Sequence, residues 1–125
     1  MKTTLLVLTT TLVLSACAGT YGGGSTPARM AEGRLIGSNG MTLYTFDKDT
    51  AGSGKSVCNG PCAGNWPPLY ATDSDTATGD WSIITRDDSK KQWAYKGKPL
   101  YFWVKDQKAG DTTGDGVNGV WRIAR

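Results

Sequence analysis

Gly40-Met41-Thr42-Leu43-Tyr44-Thr45-Phe46-Asp47-Lys48-Asp49 returns later in the chain as Gly97-Lys98-Pro99-Leu100-Tyr101-Phe102-Trp103-Val104-Lys105-Asp106. Both stretches read Gly-x-x-Leu-Tyr-x-aromatic-x-Lys-Asp. A phrase of this length used twice predicts two copies of one supersecondary unit. In each copy the tyrosine and the second aromatic stand two residues apart, which on a β-strand puts both rings on one face. Such rings bury large apolar areas and attract one another beyond that burial. A buried phenol also needs a hydrogen-bond partner. The aspartate falls where the strand gives way to a Gly-rich loop, and a carboxylate there accepts backbone N–H bonds and holds the turn. Asp49 and Asp106 are therefore expected to pin the starts of two long loops. The alternative is a pair of carboxylates that ligate a cation or act as acid and base. Nothing else in the sequence completes such a site, and histidine, the usual general base and commonest metal ligand, is absent.

Working outward, the abundant glycines, β-branched residues and aromatics argue for strands and turns, with almost no helix after the first residues. Strands are expected at Arg34-Leu35-Ile36, Met41 to Phe46, Trp81 to Arg86, Lys91 to Tyr95, Pro99 to Trp103 and Gly119 to Ala124. Asn39-Gly40 reads as a tight turn, and Lys96-Gly97-Lys98 as a hairpin tip. Asn65-Trp66-Pro67-Pro68-Leu69 is held extended by its prolines, which lack a ladder donor and so mark an edge or a covering strap. Asp47 to Gly64 and Ala109 to Asn118 are long polar loops, each followed by a tryptophan, Trp66 and Trp121. Asp73 to Asp80 is the polar connector between the two halves.

The start of the chain is a targeting segment. Lys2 precedes the apolar stretch Leu5 to Leu14, and Leu14-Ser15-Ala16-Cys17 closes it, in the pattern of a secretory signal peptide too short to span a membrane. The Leu-Ser-Ala-Cys run resembles the bacterial lipobox. That resemblance implies cleavage before Cys17, diacylation of its thiol and acylation of the new amine, and more than one chain is needed for firm anchoring. Residues 17–27 are rich in glycine and small polar residues and read as a lipidated flexible tether. Residues 28–125 then form one domain, with repeat 1 at about 28–72 and repeat 2 at about 80–125.

With Cys17 taken by lipid, Cys58 and Cys62 are the two cysteines left in an oxidising compartment, where pairing is expected. The loop they close is short, so its contribution to stability is modest. A redox-active pair is the alternative, but the spacing is Cys-x-x-x-Cys and no βαβ pattern surrounds it. Asp111-Thr112-Thr113-Gly114-Asp115-Gly116-Val117-Asn118-Gly119 looks like a degraded calcium loop. Asp111, Asp115 and Asn118 are too few ligands for a cation that takes about six to eight oxygens, and a polar turn is the simpler reading. Trp66, Trp81, Trp93, Trp103 and Trp121 could stack on a glycan; their strand positions favour a core role. Lys90, Lys91, Lys96 and Lys98 cluster near the hairpin tip as solvated lysines, with an anionic headgroup or glycan contact as the sharper alternative. The 14 basic and 11 acidic residues are interspersed, with no basic block for nucleic acid.

The chain resembles a family of secreted repeats and lipoproteins described by a recurring Tyr-x-(Phe/Trp/Tyr)-x-x-Asp motif. Tyr44, Phe46 and Asp49 match it once and Tyr101, Trp103 and Asp106 match it again. Cys58-Asn59-Gly60-Pro61-Cys62, Asn65-Trp66-Pro67-Pro68-Leu69, Gln92-Trp93-Ala94-Tyr95 and Gly119-Val120-Trp121 also look like the family. The resemblance implies no established activity and no catalytic role for the motif. The expectation is an all-β domain: a small antiparallel fold of two tandem repeats behind a signal-peptide helix and tether. Its expected role is non-enzymatic, a binding or structural lipoprotein of the bacterial cell envelope. It would need no cofactor. It would meet the membrane through its lipid, on the outer membrane facing the periplasm or the surface, with an envelope protein or glycan as partner. The alternative is an envelope redox or metal-handling accessory that uses Cys58 and Cys62 or the Asp-rich loops.

Overall fold

A computed structural model of the chain describes residues 26–125. The expected signal peptide, the expected lipidation site Cys17 and most of the expected tether lie outside the described residues. The described part is almost entirely strand and turn. Strands β1 (Ala28–Ala31) and β2 (Arg34–Gly37) form an antiparallel hairpin. Its two-residue turn, Glu32-Gly33, has positive φ at both positions, the twist that suits a tight hairpin. Strands β4 (Trp81–Thr85), β5 (Lys91–Tyr95) and β6 (Lys98–Pro99) form a three-stranded antiparallel sheet. The third sheet joins β3 (Tyr44–Phe46) to β7 (Trp121–Ile123), with Tyr44 opposite Ile123 and Phe46 opposite Trp121.

The β3–β7 pairing is antiparallel, as expected, but joins strands far apart in the chain. The last strand of repeat 2 pairs with the motif strand of repeat 1. The two motif strands also meet directly: the Tyr44 N–H donates to the Tyr101 carbonyl at 2.8 Å, and the Tyr101 N–H to the Tyr44 carbonyl at 3.0 Å. Further bonds repeat around this pair. Leu35 N–H donates to Ala124 O and Ala124 N–H to Leu43 O; in the other half, Trp93 N–H donates to Leu69 O and Leu69 N–H to Leu100 O. The two repeats are thus related by an approximate two-fold axis through the Tyr44–Tyr101 pair, and each completes the other's ladder.

The predicted strands are shorter than their sequence patterns. Of Met41 to Phe46 only Tyr44–Phe46 is strand, with Thr42 bridging singly to Ile36. Of Pro99 to Trp103 only Pro99 falls in a strand, β6, and Tyr101 bridges singly to Tyr44 and Pro68. Proline cannot donate to a ladder, which limits pairing here. The strap Asn65 to Leu69 lies along Leu100 to Phe102, where Pro67 O accepts the Phe102 N–H at 2.7 Å. A short helix the sequence reading did not anticipate, α1 (Pro61–Asn65), sits inside the cysteine loop with Pro61 in its first turn, where a missing N–H costs nothing.

Two apolar clusters follow from the alternation within the motif. Leu43 and Leu100 face a core with Leu35, Trp81, Trp93 and Ala124. One residue on, Tyr44 and Tyr101 face the opposite way, into a cluster with Cys58, Trp66 and Trp121. The first loop closes against the second repeat at Gly97, whose carbonyl accepts the Gly52 N–H at 2.9 Å. A side chain at Gly97 would bring its Cβ to 2.7 Å from that nitrogen, so the approach requires glycine.

Candidate functional site

The motif residues gather at the two-fold axis, and each motif is completed by the other. The Tyr44 hydroxyl donates to Asp106 Oδ2 at 2.6 Å. The Tyr101 hydroxyl donates to Asp49 Oδ2 at 2.5 Å. Tyrosine of one repeat is therefore clasped by aspartate of the other. The second oxygen of each carboxylate holds its own loop: Asp49 Oδ1 accepts the Val57 N–H at 2.7 Å, and Asp106 Oδ1 accepts the Thr113 N–H at 3.0 Å and the Thr113 hydroxyl at 2.6 Å. Both tyrosine side chains are fully buried.

The remaining aromatics stack across the same axis. Phe46 lies on Trp121 (ring centroids 4.3 Å apart), Trp121 on Trp66 (3.8 Å), and Trp66 on Trp103 (3.9 Å), all near-parallel. The order alternates between repeats. Tyr44 meets Trp66 edge-on at 5.5 Å, and Tyr101 meets Trp121 edge-on at 5.1 Å. Each such pair adds about 0.5–1.5 kcal/mol beyond its area burial. Four of the five tryptophans are buried and Trp103, at the end of the stack, is half-buried, so the rings are chiefly core.

Around the axis the symmetry breaks. On the Asp49 side, Arg86 is 3% exposed. Its guanidinium donates to Ser56 Oγ at 2.9 Å, Gln92 Oε1 at 2.8 Å and the Cys58 carbonyl at 2.5 Å. Gln92 in turn donates to Leu100 O at 2.8 Å. Ser56 Oγ lies 2.6 Å from the Tyr101 oxygen. The single phenol proton is committed to Asp49, so the serine is the donor. A chain of oriented donors thus runs from Arg86 through Ser56 and Tyr101 to Asp49. Arg86 Nε alone lacks a hydrogen-bond partner, with Asp88 at 3.8 Å. On the Asp106 side the only further hydrogen bond to the phenol among the described residues comes from the Gly114 N–H, which donates to Tyr44 at 3.2 Å. Gly114 lies so close under Tyr44 and Trp66 that a Cβ would come within 2.9 Å of both rings.

Burial is the main force on the titrating groups. It raises both phenols above the ordinary tyrosine range, and the partner carboxylate raises each further. Burial also raises the Asp49 carboxyl, opposed by the bonds from Tyr101 and Val57 and by the charge of Arg86. The tyrosines are therefore fixed as neutral donors across the physiological range.

Cys58 and Cys62 form a disulfide, with Cα atoms 5.2 Å apart. Cys58 is buried against the aromatic cluster, and its carbonyl is the one Arg86 holds. The Asp-rich loop is spent on turns. Asp111 Oδ2 accepts the N–H groups of Gln107 and Lys108, which lower its pKa. Asp115 Oδ1 accepts the Ile123 N–H, and Asn118 sits in a left-handed turn with φ 53°. Among the described residues no group of three or more His, Cys, Asp or Glu side chains is placed to hold a metal ion.

The sequence reading missed Arg86, Ser56, Gln92 and Thr113. Gln92 carried the one available signal, a polar residue in an otherwise aromatic strand. Arg86, next to a turn of two aspartates, looks like any solvated base.

The paired hairpins and the crossed clasps make this a small β domain of two interlocked repeats. The chain belongs to the family described as the secreted repeat of unknown function, whose family model matches residues 30–69 and 82–125. No curated protein and no solved structure matches the chain.

Proposed function

We propose that this protein is a non-enzymatic lipoprotein of the bacterial cell envelope. Acyl chains on Cys17 would hold it at the outer membrane, and its β domain would serve a binding or structural role toward an envelope protein or glycan. One observation carries the non-enzymatic part: both oxygens of each motif carboxylate, and both motif phenols, are engaged in internal hydrogen bonds. The motif is a clasp that closes the fold, with no group left over for acid–base work. Secretion of the family and the Leu-Ser-Ala-Cys run support the envelope location. Redox exchange at the cysteine pair has less support, because Cys58 is buried and its carbonyl is held by Arg86, which leaves only the half-buried Cys62 open to attack. Mass spectrometry of membrane extracts tests the anchor: a triacylated or diacylated N-terminal Cys17 is expected, and a soluble unmodified protein rejects it. Affinity capture from the envelope, with Asp49→Asn and Asp106→Asn as controls, tests the role. Each variant should lose capture only in proportion to its loss of fold.

A further inference from the structure

The repeated phrase is least alike in charge at its first residues. Asn39-Gly40-Met41 in repeat 1 corresponds to Lys96-Gly97-Lys98 in repeat 2. Lys96 and Gly97 form the two-residue turn between β5 and β6, with φ of 49° and 82°. Glycine and asparagine adopt this left-handed geometry readily, whereas lysine adopts it at a cost.

Lys96 lines a cleft of about 360 Å³. Lys96, Lys98, Arg122 and Arg125 line it, against one carboxylate, Asp115. Two of the cations are already engaged. Arg122 is paired with Asp47 through Nε at 2.9 Å, and Arg125 donates to the Gly33 carbonyl at 2.9 Å. None of the ion pairs among the described residues includes Lys96 or Lys98. The Lys96 amine lies 5.3 Å from the centre of the Tyr95 ring, which forms one wall, and Leu100, Ile123 and Ala124 contribute apolar surface. The cleft is therefore cationic, partly apolar and at the small end of the range for ligand pockets.

We propose that this cleft binds a phosphate group carried on a molecule about the size of one sugar ring, with Lys96 and Lys98 as its charge partners. The proposal deepens the binding role proposed above. It does not depend on the anchor: acylation is read by mass spectrometry and anion binding by calorimetry, so either can fail alone.

The test is calorimetric titration of the full chain with glucose 6-phosphate, inorganic phosphate and glucose. Saturable binding of glucose 6-phosphate is expected, weaker for phosphate and absent for glucose, with affinity that falls as salt rises. Lys96→Asn keeps a residue suited to the turn. It should weaken binding about tenfold, the effect of losing roughly one charge-assisted contact, while it raises the melting temperature. Lys98→Gln should weaken binding similarly, and Lys90→Gln with Lys91→Gln, outside the cleft, should not. Vesicles containing phosphatidylglycerol form a second arm. Capture that depends on Lys96 and Lys98 assigns the anion to a lipid headgroup and supports the site. No binding of any phosphate-bearing probe in either arm, equal binding of glucose, or unchanged affinity in the Lys96→Asn, Lys98→Gln double variant overturns it.

Discussion

The two clasps share a geometry and differ in what stands behind them. Tyr101 and Asp49 are backed by Ser56, Gln92 and the buried Arg86, which also grips the disulfide loop at Cys58. Tyr44 and Asp106 are backed by Thr113 and the Gly114 amide, and among the described residues no cation hydrogen-bonds to them. Duplication supplied one clasp twice, and only one copy acquired a charge network. A buried ionic network specifies one arrangement of its donors and acceptors, so the disulfide loop is fixed to the core in a way the second loop is not.

The comparison breaks hardest at Arg86. Arg86→Met should cost about 3–5 kcal/mol in urea unfolding, because it strands Ser56, Gln92 and the Cys58 carbonyl around an uncompensated Asp49. Thr113→Val, on the other clasp, should cost about 1 kcal/mol. Equal costs would mean that the network adds nothing. Next comes the disulfide. Replacing Cys58 and Cys62 together by serine should cost about 2 kcal/mol, the entropy of closing so short a loop. Proteolysis should then cut first between Ser53 and Gly60; cutting first in the Asp111 to Asn118 loop would show that Arg86 alone holds the first loop.

The hydroxyls sharpen the contrast further. Tyr101→Phe leaves Asp49 one bond, from Val57, and the buried Ser56 hydroxyl without its acceptor, whereas Tyr44→Phe leaves Asp106 two bonds from Thr113 and frees only the long Gly114 N–H contact. The Tyr101 variant should be the less stable of the two by about 1 kcal/mol, the net worth of one hydrogen bond. Reversal of that order in chemical denaturation would contradict the donor chain drawn from Arg86.

The smallest effect is a pH slope. Burial raises the Asp49 carboxyl in the folded state, so the folded protein binds a proton more readily than the unfolded chain. Stability then rises as pH falls from above the folded pKa toward the unfolded value of about 3.9. Relative to Asp49→Asn, which cannot titrate, the wild-type protein should gain stability across that window. A difference that is flat, or that shrinks toward acid, would mean that Arg86 and the two hydrogen bonds outweigh burial.

Much of the architecture was legible beforehand because it repeats. The Tyr-x-aromatic spacing announced a strand with both rings on one face, and Tyr44 and Phe46 do join one cluster. Turn glycines bounded the elements, and cysteine count led to the Cys58–Cys62 bridge that the structure contains. The helix Pro61–Asn65 was not legible, because five residues carry too little periodicity to register. Arg86 was not legible either, since burial of a charge depends on acceptors brought from Ser56, Cys58 and Gln92.

Legible from the chain alone were two copies of one aromatic unit, an extended segment in each, and an aspartate that opens each long loop. Those are local properties, set by side-chain period and turn chemistry. Tertiary structure alone decided that the copies interlock. Each tyrosine is clasped by the other repeat's aspartate, the four-ring stack alternates between repeats, and β3 pairs with β7. Nothing local distinguishes a bond within a repeat from the same bond across the axis, because the two copies offer identical donors and acceptors. Only the packing of both halves around one core selects between them.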